Sequence, residues 1–215
     1  EAMIDGLVST EVAVQAIGEE TIQLAHLADD LQELALADSG GLSLVPSTES
    51  VRTLMEVAAT SARPRIATLG IEIEVDSDPD LPLVIVDAQR IAQVLNNLIS
   101  NAAAYSPPGS KIAVSASASR TSAGEAEAVV IAVSDRGSGI PEADLERVFD
   151  RFDRVDPSRV RSTGGTGLGL TIARSIVAAH GGTIHAENRA GGGTRLVVTL
   201  PHGDPDTARR HDDQY

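Results

Sequence analysis

Between Glu11 and Asp38, the residues Ile17, Thr21, Leu24, Ala28, Leu31 and Ala35 recur at alternating spacings of four and three. A helix with that period presents a seam for packing against another helix. Leu27 and Leu34 widen the stripe, and "DSGG" (Asp38–Gly41) supplies the glycines that stop a helix. The preceding "EAMIDGLVS" reads as the last turns of another helix, so residues 1–41 are expected to be the C-terminal part of a truncated helical hairpin.

A polar, proline-containing connection near Leu44 to Thr48 and a short helix to about Arg63 come next, and then the period changes to two. Ile71, Ile73 and Val75 alternate with Glu72, Glu74 and Asp76, the pattern of a half-buried strand. "LPLVIVD" (Leu81–Asp87) predicts a second strand, with Asp87 as cap of a helix running to about Tyr105. Ile91, Val94, Leu95, Leu98, Ile99 and Ala102 make that helix amphipathic. Strands are expected at Lys111–Ala118, Val129–Ser134, Thr183–Glu187 and Thr194–Leu200, with a short helix near Glu142–Arg147 and another ending at "AHGG". Residues 42–201 therefore read as an α/β fold, a two-layer sandwich of mixed sheet against helices. Residues 202–215 have no apolar period and are expected to be a disordered tail.

Composition narrows the chemistry. With 215 residues, 42% hydrophobic but only 2% aromatic, the core must be aliphatic. The absence of cysteine excludes disulfides, thiolate metal sites and a cysteine nucleophile. A formal net charge of −14 argues against a nucleic-acid partner, which demands a basic face. Lys111 is the single lysine, so phosphate would have to be held by arginine, backbone N–H groups or a metal. No stretch approaches the roughly 18 apolar residues of a membrane span.

Three constellations could carry chemistry. On the helix after Asp87, Gln93, Asn97 and Asn101 fall at i, i+4 and i+8; amide oxygens on one helical face can ligate a hard cation such as Mg²⁺, although alone they are more often a solvated flank. In "VSDRGSGI" (Val133–Ile140) a carboxylate ends a buried strand and enters a turn on Gly137 and Gly139, where it could accept from an exocyclic amine or simply be an Asp-Gly turn. "GGTGLGLTIA" (Gly164–Ala173) is glycine-rich and opens a helix. It lacks the Gly-Lys-Ser/Thr of a Walker loop, and no buried strand precedes it as a dinucleotide fingerprint requires. What remains is a flexible loop whose N–H groups can wrap phosphate oxygens, or a plain hinge.

In chain order these elements resemble the nucleotide site of sensor histidine kinases, within the wider group of ATPases that includes gyrase, the heat-shock chaperone and mismatch-repair proteins. "NNLISNAAAYSP" resembles the N box, "DRGSGIP" the first glycine box, "VFDRFDRVD" the phenylalanine box and "GGTGLGL" the second glycine box. The resemblance spans about Ser39 to Pro201 and implies a Bergerat-type ATP-binding fold. It further implies that Asn101 ligates Mg²⁺, that Asn97 lies beside the phosphates, and that Tyr105 lies against the base. Asp135 would accept from the adenine amino group in a pocket shaped by Gly137, Gly139 and Ile140. Phe149 and Phe152 would anchor an ATP lid between Asp153 and Thr163, with Gly165, Thr166, Gly167, Leu168 and Gly169 as hinge and phosphate cradle, and Arg154 and Arg161 would reach the phosphates.

Many family members carry a lysine three residues after the metal-binding asparagine; here that residue is Ala104, which weakens phosphate charge compensation and implies either low activity or substitution by arginine. "HLADDLQELALADSGGL" resembles the second helix of the dimerisation and phosphotransfer hairpin. The family phosphoacceptor stands in His-Glu/Asp-Leu-Arg-x-Pro, which none of His26, His180, His185, His202 and His211 matches. The acceptor is therefore expected upstream of Glu1, and His180, in a last helical turn, reads as a structural residue favoured by the helix dipole. The resemblance implies an ATP-dependent protein histidine kinase acting on the cytoplasmic side of a membrane sensor, homodimeric through the hairpin, with a response-regulator receiver domain as partner. A serine kinase of anti-sigma type on the same fold, or a nucleotide-dependent interaction module, stays open at this level.

Overall fold

The computed structural model describes residues 42–120, 126–151 and 167–202, together with helical positions between 14 and 36. In chain order the elements are β1 (Ser47–Glu49), α1 (Val51–Ala67), β2 (Glu72–Ser77), β3 (Val84–Val86), α2 (Ala88–Tyr105), β4 (Lys111–Arg120) and β5 (Ala126–Ser134). Two 3₁₀ turns (Glu142–Asp144, Arg147–Phe149), α3 (Gly169–Ala179), β6 (Thr183–Asn188) and β7 (Thr194–Pro201) follow. The main sheet has the order β2-β4-β5-β7-β6. Only β2 and β4 are parallel; the other neighbours are antiparallel. A parallel pair cannot be joined by a tight turn, and α2 supplies the helical crossover.

Period-two patterning puts Ile112 and Val114 of β4, Val129, Ile131 and Val133 of β5, and Leu196, Val198 and Leu200 of β7 on one face, all buried in one core with the helices. Opposite them lies the apolar stripe of α2, where Leu95, Leu98 and Ile99 are fully buried. Each such side chain contributes about 1.5–3 kcal/mol by leaving water. The α2 start is held as expected: Asp87 Oδ1 accepts from the N–H groups of Gln89 and Arg90, at 3.0 and 3.1 Å.

Four expectations shift. "LPLVIVD" forms only a three-residue strand, and it pairs antiparallel with the unanticipated β1, apart from the main sheet. The helix near Glu142–Arg147 is two 3₁₀ turns. α1 continues past Pro64 to Ala67; Pro64 lies on the solvent side while Ile66 beyond it is buried, so packing holds the last turn despite one lost backbone bond.

The N-terminal stripe divides. Leu34 is buried and Leu27 half-buried in the sandwich core, whereas Val14, Ile17, Leu24 and Leu31 remain 46–65% exposed. The other half of the proposed hairpin, residues 1–10, and most of the expected tail, residues 203–215, lie outside the described residues.

Candidate functional site

β5 ends beside the start of β7, and Asp135 prolongs that ladder by one bond, its N–H donating to Thr194 O at 2.9 Å. Its carboxylate is buried, at 3% exposure. Oδ1 accepts from the N–H groups of Gly137 (2.7 Å) and Thr194 (3.0 Å), while no described residue donates to Oδ2. The protein thus fixes the carboxylate plane through one oxygen and leaves the other as an acceptor. An N–H donor on a ligand is the natural complement.

The turn after Asp135 reaches α2 because Gly137 has no side chain: a Cβ there would lie 2.7 Å from the Tyr105 carbonyl oxygen. Gly139 has φ +77°. Asp135, Gly137, Gly139 and Ile140 are therefore gathered beside Tyr105 at the C-terminal end of α2. Toward the other end of the same helix, Asn97 donates through Nδ2 to Gly169 O at 3.0 Å, which ties it to the start of α3. Asn101 lies between them, half-buried, and its side chain makes no hydrogen bond to a described residue. Residues i, i+4 and i+8 place Asn97, Asn101 and Tyr105 along one face over about 12 Å.

The described part of the glycine-rich stretch, from Gly167, leads into α3 beside Asn97. Gly167 takes φ +76°, and Leu168 is completely buried, so its side chain plugs the core and only its backbone can face away from it. Among the described residues no side chain caps α3, and a helix start suits an anion. Phe149 is buried under the Arg174 guanidinium, 6.0 Å from its ring centroid, and Arg174 also pairs with Asp150 at 3.3 Å. Phe152, Arg154, Arg161, Gly165 and Thr166 lie outside the described residues.

A buried acceptor at one end of a helix face, a helix start at the other, and the Asn101 amide between them form a site for a ligand with a hydrogen-bond-donating ring edge and an anionic tail. Residues 86–204, more than half the chain, match the family model described as histidine kinase-, DNA gyrase B- and HSP90-like ATPase. The chain belongs to this ATPase family.

Among curated relatives, the signal transduction histidine-protein kinase BaeS of Escherichia coli is 34% identical over 203 residues, covering 94% of this chain and 42% of BaeS. The structure of full-length ShkA in complex with AMPPNP superposes with a TM-score of 0.73 at 27% identity, covering 90% of this chain and 39% of ShkA. Histidine kinase ThkA in complex with the response regulator TrrA gives a TM-score of 0.70 at 26% identity over 94% of this chain and 55% of ThkA. The chain spans half or less of the length of the curated relatives it matches.

The ATPase domain contains site elements that motif reading missed. The β6–β7 turn lies beneath the Asp135 turn: Gly193, at φ +95°, packs so tightly that a Cβ would stand 2.2 Å from Asp135 O. Thr194 supplies the second N–H to Asp135, and Asn188 and Arg189 bond the loop directly. In the sequence "AGGG" signals only a turn; its contact partner lies more than 50 residues away.

Asn101 suits a hard cation, because its unengaged amide offers a carbonyl oxygen. No cluster of three or more His, Asp or Glu side chains is found among the described residues. A metal on Asn101 of this ATPase domain would have to take the rest of its ligands from phosphate and water.

His180 also proves structural, but not through charge. Its Nδ1 donates to Ile176 O at 2.8 Å and its Nε2 accepts from Asp87 N–H at 3.0 Å, which assigns the neutral tautomer. The Asp87 Oδ2 in turn accepts from Val45 N–H at 3.0 Å. That bond, the largest cause, outweighs burial and with the Gln89 and Arg90 contacts holds the Asp87 carboxyl below its ordinary 3.8. The junction ties the end of α3 to the start of α2 and to the segment leading into β1.

Proposed function

We propose that this ATPase domain binds Mg²⁺-ATP and is the catalytic part of a sensor histidine kinase, passing the γ-phosphoryl group to a histidine of the dimerisation helix for relay to a response-regulator aspartate. The observation that carries the reading is the single α2 face that joins an amine acceptor at Asp135 to an anion-binding helix start at Gly169. Asp135 Oδ2 accepts from the adenine amino group, with Gly137, Gly139 and Ile140 as the floor and Tyr105 beside the base. Asn97 and the residues Gly165 to Gly169 border the phosphates, and Asn101 holds the metal. Phe149 and Phe152 anchor the lid whose Arg154 and Arg161 reach the phosphates.

Bound Mg²⁺ supplies charge neutralisation at the phosphates. The residues of the chain supply orientation, and holding the two reactants in line is the larger part of such a reaction. The relatives support the relay: one is a signal transduction histidine kinase, one neighbour was solved with AMPPNP and another with a response regulator. No described helix is long and apolar enough to cross a membrane. We place the domain on the cytoplasmic side, with anchoring through a segment outside this chain. The exposed stripe of Val14, Ile17, Leu24 and Leu31 supports a homodimer through the hairpin. None of the five histidines has the acceptor motif, so the phosphorylated histidine is one this chain does not contain.

Calorimetric titration with Mg²⁺-ATP tests the site. Asp135→Asn and Asn101→Ala are each expected to weaken binding more than tenfold; unchanged affinity in both overturns the assignment. With a longer chain bearing the His-Glu/Asp-Leu-Arg-x-Pro helix, radiolabelled ATP is expected to give acid-labile phosphohistidine. Acid-stable phosphoserine on a partner would overturn the histidine kinase reading.

A further inference from the structure

Asn188 and Arg189, at the end of β6, grip both ends of the Asp135–Ile140 loop. Asn188 Oδ1 accepts from Ile140 N–H at 2.8 Å, and its Nδ2 donates to Ile140 O at 2.6 Å, so one side-chain amide brackets both polar groups of one residue. Only this orientation of the amide satisfies both bonds. Arg189 Nη1 donates to Asp135 O at 2.6 Å, and Arg189 N–H closes the turn onto Gly193 O at 3.0 Å. Gly139 is part of the same fit: a Cβ there would stand 2.9 Å from Asn188 Oδ1.

Asn188 is solvent-exposed, and its side chain bonds Ile140 twice. These two bonds decide where the Ile140 peptide sits. Asp135 is fixed separately by Gly137 and Thr194, so Asn188 controls the spacing between the acceptor carboxylate and the loop that faces it.

We infer that Asn188 is a positioning residue for base selection: by bracketing Ile140 it sets the pocket floor at the distance where a purine amino group meets Asp135. The inference rests on the ATP reading of the same pocket. Loss of the bracket lets the Gly139–Ile140 peptide drift, and a loosely seated ring loses its directional bond to the carboxylate while the phosphates keep theirs. ATP affinity should fall while that of a nucleotide without the amino group is largely kept.

The test compares ATP with purine riboside triphosphate, which lacks the 6-amino group, by titration calorimetry on wild type, Asn188→Leu and Asn188→Asp. Wild type is expected to favour ATP. In Asn188→Leu, ATP affinity should fall about tenfold, a single good hydrogen bond, while that of purine riboside triphosphate changes less than about threefold. Asn188→Asp keeps the acceptor for Ile140 N–H but sets a carboxylate against Ile140 O, and should lose discrimination in the same direction. It carries the test if the leucine variant fails to fold. A variant that binds both nucleotides with the wild-type ratio overturns the role of Asn188. Wild type without preference for ATP overturns the underlying base assignment instead.

Discussion

Gly191, Gly192 and Gly193 are three consecutive glycines at φ +90°, +96° and +95°, yet they differ sharply in what surrounds them. A Cβ on Gly191 meets nothing within 4 Å, whereas one on Gly193 lies 2.2 Å from Asp135 O, 2.8 Å from Asp135 C and 3.0 Å from Arg136 Cα. Alanine at either position incurs the left-handed backbone cost of about 1–2 kcal/mol. At Gly193 the turn must also retreat by about 1 Å to relieve the contact. That stretches the Thr194 N–H bond to Asp135 Oδ1 and the Asp135 N–H bond to Thr194 O, now 3.0 and 2.9 Å. Weakening one bond to a charged acceptor and one neutral bond adds about 2–4 kcal/mol, so Gly193→Ala should cost about 3–6 kcal/mol against about 1–2 for Gly191→Ala. Urea denaturation of both variants, with Mg²⁺-ATP titration of whichever remains folded, reads the difference. ATP affinity should fall at least tenfold in Gly193→Ala and less than twofold in Gly191→Ala. Equal stability loss in the two would refute the packing argument, because then backbone conformation alone accounts for both.

Asp87 has a depressed carboxyl pKa, so its contribution is complete above pH 3.8 and is lost as pH falls through the lowered folded value. The stability gap between wild type and Asp87→Asn, measured by urea denaturation across pH 3–7, should therefore be widest near neutrality and close toward pH 3; a gap independent of pH would remove the charge from the account. For the hairpin, replacing Leu24 and Leu31 together by glutamate should raise the dimer dissociation constant at least about 100-fold in sedimentation equilibrium, since each buried leucine contributes about 1.5–3 kcal/mol. A wild-type chain that stays monomeric, or a variant that dimerises equally well, would count against that interface.

Local chemistry made much of this protein readable without a structure. The 3.6-residue stripe from Ile91 to Ala102, the cap at Asp87 and the two-residue alternation in β2, β4, β5 and β7 are set by neighbours a few positions apart, so the sandwich followed from the sequence alone. The α2 face of Asn97, Asn101 and Tyr105 is equally a matter of helical period, and Asp135 at a strand end followed from its turn. Tertiary structure decided what those periods cannot express. The exposed and buried halves of the N-terminal stripe separate only when Leu27 and Leu34 meet the sandwich core. His180 reads as a dipole partner until the fold places the N–H of Asp87, 93 residues away, against its ring. Asn188, Arg189 and Gly193 look like an ordinary hairpin turn because their partners, Asp135 and Ile140, lie in the loop after β5. Period and capping act along the chain, whereas the bonds of Thr194 and Arg189 to Asp135 join segments that only the assembled sheet brings together.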